Sequence, residues 1–481
     1  MSPELVLLIF LGYTAMLIGV SVITSRRANN ESYFVGNRQS PWPVVAFGMI
    51  GTSLSGVTFI SIPGWVGNSQ FSYMMVVFGY VAGYAVISLV LLPLYYRLKL
   101  ISIYTYLDQR FGFWSYKTGA FYFLLSRLIG ASFRMFLVVN VLQIFIFDHY
   151  NIPFWVTVVI FILLITIYSF KGGIKTIVWT DMLQTVFMLT ALIVTIYIIL
   201  NKLDFSLGEM ISRINEQGYS KIVINDWRHD RFYLKQFFSG MFITIVMTGL
   251  DQDMMQKNLS CRNLKDAQKN VTSLSIMLIP ANLIFLFLGA SLYVYASIHN
   301  ITIPQLTDNL FPELAFNHFG IFAGMVFFIG LIAAAYSSAD SAITALTTSV
   351  SIDFLGMDKV NKHKRYFIHF AITLIILSII IIFREINNEA VIAQLFTIAG
   401  YTYGPLLGLF AFGLFTKLAL KDRFVPLVAL LAPLLTYLVN INSSWLFNGY
   451  QFGFELLILN GILTYTGLWI IKKQSLIKTT P

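Results

Sequence analysis

Cysteine is almost missing. The 481 residues contain one, Cys261, which excludes a disulfide within the chain and any Cys-based metal site. Charge is scarce as well. Asp, Glu, Lys and Arg make up 11% of the residues, where a soluble domain carries about 25%. No Gly-x-x-x-x-Gly-Lys-Ser/Thr loop is present to cradle a nucleotide. No His/Cys/Glu metal cluster or hydrolase elbow stands out, so neither an enzyme nor a cofactor is expected. The apolar runs are continuous rather than alternating, which argues against a lipid-facing β-barrel. No polar stretch is long enough for a second domain, so residues 1–481 read as one unit.

What fills the chain is apolar. Hydrophobic residues make up 57% and mean hydropathy is +0.75. A soluble chain could not bury this much apolar surface, so the solvent for most of it must be lipid. The formal net charge of +10 is compatible with a nucleic-acid or membrane-surface partner. The basic residues, however, sit between apolar runs, where they set topology. No nucleic acid and no obligate protein partner is implied; the bilayer is the expected surrounding.

With about 20 apolar residues per crossing, the expected spans are 4–24, 43–62, 70–96, 118–147, 153–170, 176–201, 236–256, 270–298, 319–352, 366–384, 389–416, 424–440 and 453–471. The expectation is thus an all-α integral membrane protein with about thirteen transmembrane helices. The first run is too long for a signal peptide and has the wrong flanks: Glu4 precedes it and Arg26 and Arg27 follow it. It reads as a true span in a multi-pass cell-membrane protein, with its N-terminus outside.

Basic residues test that layout. With the N-terminus outside, the inner loops hold 23 of the 32 Lys and Arg residues, Lys257 among them. Six of the seven outer ones lie in the 202–235 loop, and the seventh is Arg384. The asymmetry supports the span count and puts the C-terminus in the cytoplasm. Arg127 and Arg134 fall within a span. The 202–235 loop reads as amphipathic, either a cover for the outer mouth or a passive connector.

The second span is interrupted. It carries Gly48, Gly51, Gly56, Pro63 and Gly64, interleaved with Thr52, Ser53, Ser55, Thr58 and Ser61. Gly and Pro loosen a helix, and hydroxyls can satisfy the freed backbone groups. Transporters use such discontinuous helices at the substrate site; close packing through small residues is the other reading. Five spans later, Gly240 and Gly249 interrupt a second apolar run, followed by Asp251, Gln252 and Asp253. Five is odd, so the two segments run in opposite directions, as in an inverted repeat. The halves would be 43–201 and 236–417, with 1–42 before them, the 202–235 outer loop between them, and two peripheral spans with a short inner tail in 418–481.

Ionisable and hydroxyl groups inside spans are functional candidates. Ala334, Ser337, Ser338 and Ser341 form one helical stripe. Hydroxyls and a carbonyl suit a hard monovalent cation, although interhelical hydrogen bonding by small residues has the same pattern. Asp340 lies about 100° off that stripe. Asp181 sits at the inner end of the sixth span and could bind a cation or pair with an arginine. Arg127 and Arg134, seven apart, share a face. They could hold an anionic substrate or pair with Asp181 or Asp340.

Several motifs in order resemble the sodium:solute symporter family over nearly the whole chain. They are Gly172-Gly-Ile-Lys-Thr-Ile-Val-Trp-Thr-Asp-Met-Leu-Gln184, Gly249-Leu-Asp-Gln-Asp-Met-Met-Gln256 with Asp266-Ala-Gln-Lys269, Ala334-Ala-Tyr-Ser-Ser338 and Ser351-Ile-Asp-Phe354. The resemblance implies a five-plus-five inverted-repeat core with one preceding and two following helices, working by alternating access coupled to a sodium gradient. It implies a main sodium site from the carbonyls of Gly51, Leu54 and Ala334 and the hydroxyls of Ser337 and Ser338. A second sodium site, present in some members, would use Asp181, Ser338, Asp340 and Ser341; Asp340 departs from the usual hydroxyl there.

For the solute, positions that recognise sugar hydroxyls in the sugar branch fall on Val77, Leu278 and Met247, against a hexose. The sialic-acid and monocarboxylate branches are closer, with Ser53, Ser55, Thr58 and Arg134 as the expected substrate residues. An organic acid is the expected solute, with a neutral sugar as the alternative. A channel or a membrane-embedded sensor are the other classes; the short tail after Ile471 offers a sensor no signalling domain.

Overall fold

In the computed structural model the described residues are 3–25, 30–356, 362–386 and 391–473. Arg26, Arg27, Lys359 and Lys478 of the inner basic set, and the start of the expected 389–416 span, lie outside them. The described residues form helices and turns, with two isolated β-bridges and no extended strand.

The principal helices are α1 (Pro3–Thr24), α2 (Trp42–Ser53), α3 (Gly56–Ser69), α4 (Tyr73–Arg97), α5 (Phe113–Leu142), α6 (Phe154–Gly172), α7 (Ile174–Leu203), α8 (Leu207–Glu216), α9 (Tyr233–Thr244), α10 (Gln252–Leu259), α11 (Leu264–Ile298), α12 (Ile321–Ser349), α13 (Lys362–Ile386), α14 (Val391–Thr402), α15 (Gly404–Phe415), α16 (Val425–Ile441) and α17 (Leu456–Ile470). Among the described residues eight helices are long and apolar enough to cross a membrane, and the bent pairs α2–α3 (51°) and α14–α15 (46°) raise this to ten. The shorter apolar helices α6 and α17 coincide with two further expected spans. The expected 236–256 span is not one helix. It is α9, a wide π turn over 245–249, and α10 after a break at Leu250–Asp251.

The sequence explains both breaks. At the first, Leu54 leaves the helical region (φ −93, ψ 49) and Ser55 is extended (ψ −179). The last backbone bond of α2 runs from the Leu54 N–H to the Ile50 carbonyl, and the first of α3 from the Phe59 N–H to the Ser55 carbonyl. The carbonyls of Gly51 to Leu54 therefore fall outside the ladder. At the second break Asp251 caps α10, accepting from the N–H groups of Asp253 (2.9 Å) and Met254 (3.4 Å).

Gly240 has a different job from the one its spacing suggests. A Cβ there would lie 2.0 Å from the Val76 carbonyl oxygen, and one on Gly79 2.0 Å from that of Phe237. The two glycines let the backbones of α4 and α9 touch; the interruption itself comes ten residues later, at Leu250–Asp251.

The 202–235 segment is not all loop. α8 begins with a capping box: Glu209 N–H donates to Ser206 Oγ, and Ser206 N–H donates to Glu209. It buries Met210 and Ile214 and leaves its other face exposed. Past it, Arg231 donates to the Asn68 carbonyl at the end of α3, so the segment is tied to the C-terminal end of the broken helix.

Candidate functional site

The broken helix packs against α7, α11 and α12, and each contact needs small residues. A Cβ on Gly51 would meet Thr185 Oγ1 at 2.3 Å, and the Gly51 N–H already donates to that oxygen at 3.1 Å. Gly48 faces Asp181 and Met182 of α7, and Gly56 faces Ala335 of α12. The unladdered stretch 51–54 is thereby held against the buried stripe of α12.

On that stripe Ala334, Ser337, Ser338 and Ser341 are all buried. Ser337 Oγ lies 3.2 Å from Thr52 Oγ1 across the break and donates to Asp181 Oδ1 at 2.7 Å. Ser338 Oγ donates to the Ala334 carbonyl at 3.3 Å. The result is a dry cluster of hydroxyl and carbonyl oxygens on three helices. Such oxygens satisfy a hard cation in place of its water.

Asp181 is the centre of this cluster, at 1% exposure. Besides Ser337 it accepts from Thr52 Oγ1 at 3.1 Å and from Lys257 Nζ at 2.6 Å. The Lys257 ammonium also donates to Thr52 Oγ1 at 2.6 Å. This corrects the inner-loop assignment of Lys257: it is 1% exposed, and every residue of α10 is buried. Asp340 Oδ1 accepts from the Ser341 N–H at 2.6 Å.

The arginines part ways. Arg127 does not pair with Asp181 or Asp340; it forms an ion pair with Asp253 and lies 3.8 Å from Asp251. The second break supplies those acids, and Tyr403 of the α14–α15 bend donates to Asp251 at 2.7 Å. Arg134 makes no hydrogen bond or ion pair among the described residues. Half-buried, it faces a hollow that both arginines line with Ser53, Ser55, Thr58, Tyr84, Thr248 and Asn282. The hollow lies among α3, α5, α9, α11 and α14. Leu278 and Met247 also line it, whereas Val77 is buried elsewhere in the core. The expected substrate residues Ser53, Ser55, Thr58 and Arg134 are thus together, next to the cation cluster through Thr52 and Leu54.

Sequence reasoning missed Lys257, Thr52 and Tyr403. Thr52 carried a signal, as a hydroxyl at the glycine-rich break. Lys257 and Tyr403 carried none, because their partners are 76 and 152 residues away.

The sodium/sialic acid symporter SiaT of Proteus mirabilis is 24% identical over 85% of this chain and 84% of its own. The sodium/sialic acid symporter NanT of Aliivibrio fischeri is 23% identical over 94% and 91%. The sodium-coupled monocarboxylate transporter 2 of Bos taurus is 25% identical over 81% of this chain and 64% of its own. Among solved structures, a sodium-coupled sialic acid symporter in a substrate-bound outward-open state matches with a TM-score of 0.81 at 20% identity, covering 98% of this chain and 99% of that one. The nucleobase-cation-symport-1 transporter Mhp1 in a closed conformation matches at 0.56 and 15%, over 92% and 96%. The sodium:solute symporter family model matches residues 33–421, most of the chain, and with the broken helix and buried oxygen cluster in hand the chain belongs to that family.

Proposed function

We propose that this multi-pass membrane protein is a sodium-coupled secondary active symporter that imports a small organic acid by alternating access, with its N-terminus outside and its C-terminus in the cytoplasm. The observation that carries the substrate class is Arg134, a guanidinium with no hydrogen-bond or ion-pair partner among the described residues, facing a hollow at membrane depth. A charge there is costly and is retained for a partner. A planar fork suits bidentate carboxylate binding. Ser53, Ser55 and Thr58 would take the hydroxyls of a hydroxylated acid. The relatives named for sialic acid and monocarboxylates support the same class over a hexose.

Sodium would bind at the break, to the carbonyls of Gly51, Leu54 and Ala334 and the hydroxyls of Ser337 and Ser338. What supports this is that the carbonyls of 51–54 have left the helix ladder, in a stretch whose Thr52 hydroxyl lies 3.2 Å from that of Ser337 on the serine stripe. Coupling then has a physical basis. One wall of the ion site and one wall of the hollow are the same few residues, so filling one orders the other.

The test is a thermal-shift screen of purified protein against N-acetylneuraminate, lactate and glucose, each with sodium or choline chloride. The expected result is stabilisation by an acid that is larger in sodium. Stabilisation by glucose alone would overturn the substrate class, and equal effects in sodium and choline would overturn the coupling.

A further inference from the structure

The cation cluster already holds a cation of its own. Lys257 Nζ is seated between Asp181 Oδ2 and Thr52 Oγ1, at 2.6 Å from each, and is 1% exposed. Asp181 and Ser337 are bonded to one another at 2.7 Å, and Ser337 lies 3.2 Å from Thr52. The ammonium therefore completes a shell of oxygens that a second monovalent metal ion would otherwise require. An ammonium and a sodium ion ask for the same thing here: a carboxylate and hydroxyl oxygens in a dry pocket, with one positive charge to cancel that of Asp181.

We infer that Lys257 is a tethered cation that takes the place of a second sodium ion, so that this chain binds and couples one sodium per substrate. The inference rests on the symport reading above and adds its stoichiometry. Lys257 acts as a fixed charge. It is built into α10, which begins just past the second break. The ion site at the first break and the helix that follows the second are thus joined by one ion pair, Asp181–Lys257. In a transporter using two sodium ions the second would diffuse in and out; here its charge stays with the protein and cannot contribute to the driving force.

The geometry also states what should happen when the tether is cut. Without the ammonium, Asp181 becomes an uncompensated buried carboxylate beside Thr52 and Ser337. Such a charge either destabilises the fold or recruits a mobile cation. Removing both charges together leaves nothing to recruit.

The experiment counts radioactive sodium bound to purified full-length protein, using sodium chloride alone as the probe and choline chloride as the control. The wild type is expected to bind one ion per chain, Lys257→Gln two, and the Lys257→Gln/Asp181→Asn double variant one. A merely structural lysine would leave the count of the folded single variant at one, which would overturn the inference. Two ions on the wild type would also overturn it while leaving sodium symport standing. No sodium on the wild type would sink the symport reading itself. Should Lys257→Gln fail to fold, the charge-to-flux ratio of wild-type uptake decides: one sodium charge per substrate supports the tether and two refutes it.

Discussion

Ser337 Oγ donates to Asp181 Oδ1 at 2.7 Å while standing 3.2 Å from Thr52 Oγ1. One hydroxyl thus ties α12 to α7 and to the broken helix. Among the described residues its neighbour Ser338 bonds only its own helix, at the Ala334 carbonyl. The two serines should therefore separate. Ser337→Ala and Ser338→Ala are both expected to raise the sodium concentration for half-maximal uptake. Only Ser337→Ala should also lower thermal stability, by about 1–3 kcal/mol, for the bond lost to a buried carboxylate. Unchanged sodium dependence in both variants would remove the assignment of the ion site.

Arg134→Lys keeps the charge and loses the fork. Uptake of an organic acid should fall by tenfold or more, since a charge-assisted bidentate pair is worth about 1.5–3 kcal/mol. Sodium-induced stabilisation without solute should be unaffected. Arg127→Lys is expected to behave differently. It weakens the link to Asp253 and Asp251 at the second break, so it should lower the melting temperature along with transport.

Asp181→Asn leaves the Lys257 ammonium buried without its counter-charge. Removing one member of a buried pair costs about 3–5 kcal/mol. A large drop in melting temperature is expected, with partial recovery when Lys257→Gln is added. A drop in the double variant as deep as in the single one would show that the charges are not a pair.

These residues also show how far the sequence alone reaches. The first break was legible because Gly48, Gly51 and Gly56 alternate with hydroxyls inside an apolar run, and the structure bends there by 51°. The serine stripe was legible because helical spacing is local. The partner of Arg127 was not: Asp253 is 126 residues away, and charge attraction leaves no periodic trace. Lys257 failed for a subtler reason. The expected span stopped at residue 256, which left Lys257 and Asn258 at the head of an inner loop. In fact every residue of α10 is buried, Lys257 included; Gln252, for instance, bonds the backbone of Ile101 and Ile103. Gly240 was read as a break because a glycine in a span fits either a break or a close contact, and only the facing Val76 carbonyl decides.

Between α11 and α12 a buried acid links the connecting segment to α14. Asp308 accepts from the Val391 N–H at 3.0 Å, the first residue of α14, and the adjacent Thr307 carbonyl packs on Gly64 of α3. Burial pushes the Asp308 carboxyl up to about 6. A raised folded pKa means that the native state holds the proton more tightly than the unfolded chain. Its stabilising contribution is present below the ordinary carboxyl value of 3.8 and is lost as pH rises to about 6. The stability difference between wild type and Asp308→Asn should therefore fall by up to about 3 kcal/mol across that window and stay flat above it. Melting curves at half-unit pH steps check this, and a difference independent of pH would contradict it.

The central claim is that a sodium gradient drives solute uptake through this chain. The most direct measurement is N-acetylneuraminate and lactate uptake into proteoliposomes holding the purified protein, with sodium outside and choline inside, then with the gradient reversed. The account predicts transient accumulation above the external concentration for at least one of the two acids, abolished by gradient reversal and reduced by Ser338→Ala. Uptake that only equilibrates, at the same rate in sodium and in choline, would contradict it.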